Sequence, residues 1–357
     1  MRAWQWPAIA VVIGLVLASI GATARCDAAQ MNARDRAMPR YAHIFVIVEE
    51  NKDYSQIIGS SHAPAINAFA KEYGNATHYF AVAHPSEPNY VAMIGGSTFG
   101  IHDDDAYYCK PHDTRYCPGS DDAGFVDHTI EGPSLATQLE AAGLTWKDYD
   151  ESIPAPGSLA VVAADPHANG LPHNLAVYAS KHSGFINFAS VQNDPHRAER
   201  LVGFDQLARD LRSGDVPNFS FIIPNICNEM HGDGLLHFRP FDCWSANIPA
   251  LIARGDRNAA SIVHEIMASP VWTDTANSAI VITFDEDGHD GKQGGGGHIP
   301  TVVITNHGPR HVSDATPYSH YALLRTIEDA FGIHTYLNHA GDPGTEPMLP
   351  LFATRAP

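Results

Sequence analysis

Four short stretches of the chain gather the side chains that can bind a cation or attack an electrophile. The run "HIFVIVEE" (His43 to Glu50) ends in Glu49 and Glu50 and is followed by Asn51. The segment "HPSEPN" contains Ser86 and Asn89. "SFIIPN" leads into Asn225, Asn228, Glu229 and His231, and "IVITF" is followed by Asp285, Glu286 and Asp287, then by a Gly-rich segment that closes with His298. Carboxylates, amides and a few imidazoles are the donors that hard divalent cations take. A serine at the start of a helix stands where backbone N–H groups and the helix dipole favour negative charge. A cation beside such a serine is the equipment of phosphoryl transfer.

Other chemistries fit these residues less well. A single acidic residue after a strand is ordinarily a solvated loop group, so the weight lies in the recurrence at several strand ends. Counted from Asp285, a calcium-binding EF-hand loop would need Gly at the sixth position and Glu at the twelfth, where this chain has Asp290 and Gly296. No G-x-S-x-G elbow surrounds Ser86. With 21 histidines in the chain, positions such as His62, His78, His102 and His112 take no role on sequence grounds.

The elements that must position these groups alternate. Apolar runs rich in β-branched residues, "HIFVIVEE", "LTWKDYDE", "NFSFIIPN", "SAIVITFDE" and "TVVITN", read as strands. "APAINAFAKEY", "PNYVAMIGG", "PSLATQLEAAG" with Ser134 as N-cap, the region from Ala246 to Ser269, and "HYALLRTIEDAFG" read as helices. Strands apolar throughout, alternating with helices, indicate an α/β fold in three layers, α/β/α, around a mostly parallel sheet. Ligands in such sheets bind beyond the carboxyl ends of the strands, where the polar residues above fall.

The chain has 357 residues, 44% hydrophobic and 17% charged, with no linker, repeat or low-complexity tract, which is the composition of one globular domain. Met1 and Arg2, the apolar run "AIAVVIGLVLASIG" and the small residues up to Ala24 follow the order of a secretory signal peptide. The apolar run is shorter than the about 20 residues a membrane span needs. The expectation is therefore a signal peptide over residues 1–24 and a single domain over residues 25–357, with its core at about 41–335, acting in the periplasm or outside the cell without stable membrane insertion. Of five cysteines, Cys26 lies at the processing site and the others form two local pairs, Cys109 with Cys117 and Cys227 with Cys243, which export would allow to oxidise. The net charge of −18, from 40 acidic and 22 basic residues, argues against nucleic acid as a partner. An anionic substrate would then need a local positive centre, which a metal ion supplies.

These stretches carry a resemblance. "HIFVIVEENKDYSQIIG" resembles the opening motif of the bacterial phosphoesterase family that contains secreted acid phosphatases and phospholipases C. "HPSEPNYVAMIGG" is similar to the nucleophile segment of the wider alkaline phosphatase superfamily, and "FIIPNICNEMH", "ITFDEDGHDGKQGGGGHIP" and "SHYALLRTIEDAFG" resemble later motifs in the same order, so that the likeness runs from about His43 to Gly332. It implies an alkaline phosphatase-like fold, with Glu50, Asn51, Asp285 and Glu286 as metal ligands and Ser86 as a nucleophile bridging metal and phosphorus. It implies Asn89 as a contact to phosphate oxygens. His231, His298 and His320 become candidates for a second metal, for phosphate contact or for protonating the leaving group, with Asn228 and Glu229 beside His231 at the second-metal location. The metal could be Ca²⁺, Mg²⁺, Mn²⁺ or Zn²⁺. A sulfatase of the same superfamily would need a C/S-x-P-x-R context, and the required Arg is absent after Ser86.

The expected substrate is a small phosphomonoester. A phospholipid headgroup is the alternative, making the enzyme a phospholipase C or a phosphoinositide phosphatase. Apolar residues in "HSGFINF" and "LLHFRPFDCW" would then line its mouth, unless they only pack locally. The reading without turnover is a secreted, calcium-stabilised binding module.

Overall fold

In the computed structural model, residues 37–104, 126–164, 176–233, 240–288 and 295–353 are described. The expected signal peptide, Cys26, the Cys109–Cys117 pair and the first half of the "LLHFRPFDCW" loop, residues 235–239, lie outside them.

Eight strands make the central sheet: β1 (His43–Glu49), β2 (Gly74–Ala76), β3 (Trp146–Asp150), β4 (Leu201–Val202), β5 (Phe219–Ile223), β6 (Ser278–Phe284), β7 (Thr301–Thr305) and β8 (Val312–Asp314). Their spatial order is β8-β2-β7-β6-β1-β5-β3-β4. From β6 to β4 every neighbour is parallel, while β7 runs antiparallel to both β6 and β2. Every residue of β5, β6 and β7 is buried, as is all of β1 after His43. That explains why these strands read as continuous apolar runs instead of alternating ones.

Helices cover the sheet in two groups. Pro64–Glu72 (α1), Phe204–Ser213 (α4) and Ile248–Met267 (α5) pack in succession, α1 against α5 and α5 against α4. Ser86–Gly95 (α2) packs against Leu135–Ala141 (α3) and His320–Phe331 (α6). The buried residues of α5, Leu251, Ile252, Gly255, Asp256, Ala259, Ile262, Val263 and Ile266, recur at helical spacing. The expected helix after Ser134 is present, although its N-terminal bond runs from the Ser134 N–H to Thr137 Oγ1 at 2.9 Å.

The aromatic part of "HSGFINF" is core. Phe185, Ile186 and Phe188 are buried, and Phe185 stacks on Trp146 with ring centres 4.4 Å apart. Cys227 and Cys243 are bonded, tying the segment after β5 to the start of α5 with a stabilisation of about 2–4 kcal/mol. Among the described residues no helix is long and apolar enough to cross a membrane.

One buried acid lies in α6. Glu328 accepts the Leu337 N–H at 2.9 Å, and burial pushes its carboxyl up to about 7. A pKa above the unfolded value means stability present at low pH and lost as pH rises through 7. Glu328→Gln keeps an acceptor for Leu337 and removes that loss. The variant should match wild type near pH 4 and exceed it at pH 8 by about 1–3 kcal/mol, read from thermal melts at both pH values; equal melting at pH 8 would show the carboxylate costs nothing there.

Candidate active site

Strand register brings the acidic ends together. β1 pairs with β6 from His43 opposite Ser278 to Glu49 opposite Phe284, and the pairing continues as Asp285 N–H donates to the Glu49 carbonyl at 3.1 Å. On the other side the Glu50 N–H donates to the Glu229 carbonyl at 2.7 Å. Glu50 therefore stands between Asp285 and Glu229. Asn51 ends the strand in the left-handed region, at φ 51°, which asparagine tolerates better than most residues. Its N–H donates to Asp285 Oδ1 at 3.1 Å.

Ser86 is the first residue of α2 and is buried. The loop before it is fastened to the strand ends by the Gly-rich segment. Gly296 N–H donates to the Ala81 carbonyl, Ala81 N–H to the Gly297 carbonyl, and Asp287 N–H to the Gly296 carbonyl. A Cβ on Gly296 would fall 2.5 Å from the Ala83 carbonyl oxygen, and one on Gly297, at φ +87°, would overlap the Asp287 carboxylate. Glycine is required there because two backbones and a carboxylate meet.

Around the Ser86 hydroxyl lie Glu50 Oε2 at 3.2 Å and Glu286 Oε1 at 3.5 Å. Glu50 Oε1 receives the Tyr90 hydroxyl at 2.6 Å and faces His182 Nε2 at 3.3 Å, while His182 Nδ1 faces Glu229 Oε1 at 3.1 Å. Glu50 thus joins two neighbouring groups, an oxygen ring at Ser86 and a triad with His182 and Glu229. The donor atoms of that triad all lie within 4.8 Å of one another.

The acids of this knot are out of solvent. Glu49, Glu50, Glu229, Asp285 and Glu286 are buried. Both Glu49 carboxylate oxygens, Glu229 Oε2, Asp285 Oδ2 and the Asn51 side-chain oxygen have no hydrogen-bond partner among the described residues. Burial pushes Asp285 up to about 7, Glu229 to about 8 and Glu286 to about 9, and neighbouring carboxylates add to each shift. Lys52 lies close enough to offset part of this charge but makes its hydrogen bonds elsewhere. Its ammonium is buried and donates to the carbonyls of Met230 at 2.8 Å, Asn51 at 3.0 Å and Glu50 at 3.4 Å. Unpartnered buried carboxylate and amide oxygens around a serine hydroxyl that two carboxylates approach fit a divalent cation. Glu50, His182 and Glu229 are one group that could hold it, and the expected ligands Glu50, Asn51, Asp285 and Glu286 lie with Ser86 on the other side of Glu50.

The other sequence-named residues divide. His320 Nε2 lies 2.7 Å from the Asp285 carbonyl. Since a carbonyl only accepts, Nε2 carries the proton, leaving Nδ1 to accept from the Tyr79 hydroxyl at 3.2 Å. Burial pushes this imidazole down to about 4, so His320 is a neutral prop for Asp285. His231 donates Nδ1–H to the Gly232 carbonyl at 2.7 Å and lies with its ring centre 5.9 Å from that of His182. Asn89 is not in the ring. Its oxygen accepts from Val82 and Ala83 N–H, and its amide donates to the Ala83 and Pro85 carbonyls, which exhausts its capacity on the nucleophile loop. His298 stacks on Tyr54 and contacts the Thr77 carbonyl at 2.9 Å; the structure does not bring it to Ser86.

Two imidazoles went unnoticed in the sequence. His182 follows a short strand pair outside the main sheet, on the turn Ser180–His182, where no strand-end pattern marks it. His84 contacts Glu286 Oε2 at 2.6 Å and Asp287 Oδ1 at 3.4 Å. It lies two residues before Ser86, a position that offered a signal.

Comparison with known proteins identifies the family. A match to the Phosphoesterase family covers residues 60–334. The chain belongs to the phosphoesterase family. It is accordingly a phosphoric ester hydrolase. It is 32% identical to a phosphatidylinositol-3-phosphatase of Mycobacterium tuberculosis over 90% of this chain and 87% of that protein. It is 26% identical to a probable acid phosphatase of Kluyveromyces lactis over 85% of this chain but only 61% of that protein. A solved structure from Vibrio parahaemolyticus, in the alkaline phosphatase superfamily, superimposes with a TM-score of 0.53 at 11% identity, covering 86% of this chain and 72% of that one. That likeness shows an alkaline phosphatase-like fold.

The raised carboxyls of this phosphoesterase give a sign for stability. Their folded values exceed the unfolded ones, so without a cation their contribution is present below about pH 4 and is lost as pH rises through 7 to 9. In chelator, melting temperature should fall between pH 5 and pH 8. A divalent cation at 100 times its dissociation constant should restore about 2.7 kcal/mol at pH 8. Melts that are unchanged by chelator and by Mg²⁺, Mn²⁺, Ca²⁺ or Zn²⁺ would contradict a cation centre here.

Proposed function

We propose that this phosphoesterase is a metal-dependent phosphomonoesterase of acid phosphatase type that works through a phosphoserine at Ser86. The observation that carries this is the buried Ser86 hydroxyl at a helix start, within 3.5 Å of the carboxylates of Glu50 and Glu286. When bound, a divalent cation supplies positive charge that favours the alkoxide and stabilises charge on the phosphoryl group.

The chain's own groups do the rest. Ser86 Oγ–H gives its proton to Glu50 Oε2, 3.2 Å away, as its oxygen attacks phosphorus in line; the bond to the alcohol breaks and the departing oxygen takes a proton from solvent. The N-terminal end of the α2 dipole, at Ser86, favours the negative charge that gathers on the phosphoryl oxygens. Water then cleaves the phosphoserine, dividing one hard displacement into two easier ones. His320 and the Asn51 N–H hold Asp285 in place, and Tyr90 fixes Glu50. Asn89 acts one step back, by setting the loop from which Ser86 projects.

The similarity to a phosphatidylinositol-3-phosphatase over nearly the whole chain favours a phosphorylated headgroup as a second substrate reading. It is a monoester too, so the same chemistry serves. The Cys227–Cys243 bond supports action in an oxidising compartment, in the periplasm or outside the cell.

Hydrolysis of p-nitrophenyl phosphate with and without chelator tests the reading. Turnover should require a divalent metal, and Ser86→Ala should lose at least about a thousand-fold in kcat while melting like wild type. A Ser86→Ala enzyme that keeps most of its activity would sink the phosphoserine mechanism.

A further inference from the structure

Lys181 is a cation that the chemistry above leaves without a task. It occupies the same turn as His182, whose ring lies between Glu50 and Glu229. While His182 enters the carboxylates, the Lys181 ammonium lies 2.7 Å from Asp104 Oδ2. The other oxygen of Asp104 accepts the N–H of Glu87 at 3.1 Å, the residue next to Ser86. Lys181 is thus tethered over the first turn of the nucleophile helix.

The tether is rigid. The buried Glu87 side chain is gripped by Asn187 and, at 2.9 Å, by His128. His128 in turn meets Asp103 at 3.0 Å, so residues 103 and 104 are fixed to α2 through two routes. The Lys181 and Asp104 side chains remain 26% and 30% exposed. Lys52, the other lysine touching the site, is only 6% exposed and spends its ammonium on three carbonyls. One N–H of Lys181 serves Asp104, and two are left for a ligand among the described contacts.

We propose that Lys181 binds the non-bridging oxygens of the substrate phosphoryl group and selects dianionic phosphomonoesters over monoanionic diesters, with Asp104 as its positioning residue. This rests on the phosphomonoesterase reading above. A fixed ammonium gains more from two negative charges than from one, because attraction scales with the product of the charges. An ammonium acts as a point charge and tolerates different leaving groups, so the discrimination concerns the phosphoryl group and not the alcohol.

The test compares wild type, Lys181→Met and Lys181→Arg on p-nitrophenyl phosphate and on bis(p-nitrophenyl) phosphate, with inorganic phosphate as competitive inhibitor. Lys181→Met should lower kcat/KM for the monoester about 10- to 100-fold, the range of one charge-assisted hydrogen bond, and raise the phosphate inhibition constant by a similar factor. Its diester rate should change less than about 3-fold, and Lys181→Arg should recover most of the monoester rate. Lys181→Gln replaces the methionine variant if that fails to fold. A monoester kcat/KM and a phosphate inhibition constant that stay at wild-type values, or equal losses on both esters, would overturn the assignment. Absence of monoester turnover by wild type with every divalent metal would instead remove the reading on which it rests, and the assignment with it.

Discussion

The site is governed by a shortage of protons. Ser86 has one hydroxyl hydrogen, and the oxygens of Glu50 and Glu286 both approach it as acceptors. Asp285 and Glu229 stand close behind, buried like the others. Carboxylates cannot gather so densely in a dry site unless they hold extra protons or share a cation. The proposed divalent cation would take up that charge near neutral pH, and it is also what a phosphoryl group needs.

The rest of the fold can be understood as the means of holding that arrangement together. Parallel pairing of β6, β1 and β5 aligns three strand ends on one edge, and the backbone bonds beyond them bring Asp285, Glu50 and Glu229 level. The reversed β7 begins at the same edge instead of ending there, so the glycine segment that leads into it runs back across the rim and grips the Ser86 loop. Lys52 anchors β1 to the β5 exit through the Met230 carbonyl. Burial lowers its ammonium to about 8, with the nearby acids opposing that fall.

Much of this was legible in the sequence because the signals were local. Apolar β-branched runs ending in acids announced both the strands and the rim, and the ordered motifs announced the family. His182 was not legible. It comes from a turn outside the sheet and reaches Glu50 only through tertiary packing, so no spacing in the chain marks it. Asn89 and His298 show the opposite failing. Both sit in motifs of the right character, yet the polar atoms of Asn89 are fully used by the loop around it, and His298 is turned to Thr77 and Tyr54. Residue type and motif could not distinguish a side chain that faces the substrate from one that shapes the loop.

The central claim is that Ser86, within a carboxylate ring completed by a cation, becomes covalently phosphorylated. Acid quenching of the metal-loaded protein during turnover of a phosphomonoester, followed by peptide mass spectrometry, tests it most directly. The account predicts a phosphate on the peptide that contains Ser86, absent when chelator is added before the substrate. Phosphate trapped on another residue, or trapped on Ser86 equally well in chelator, would contradict it.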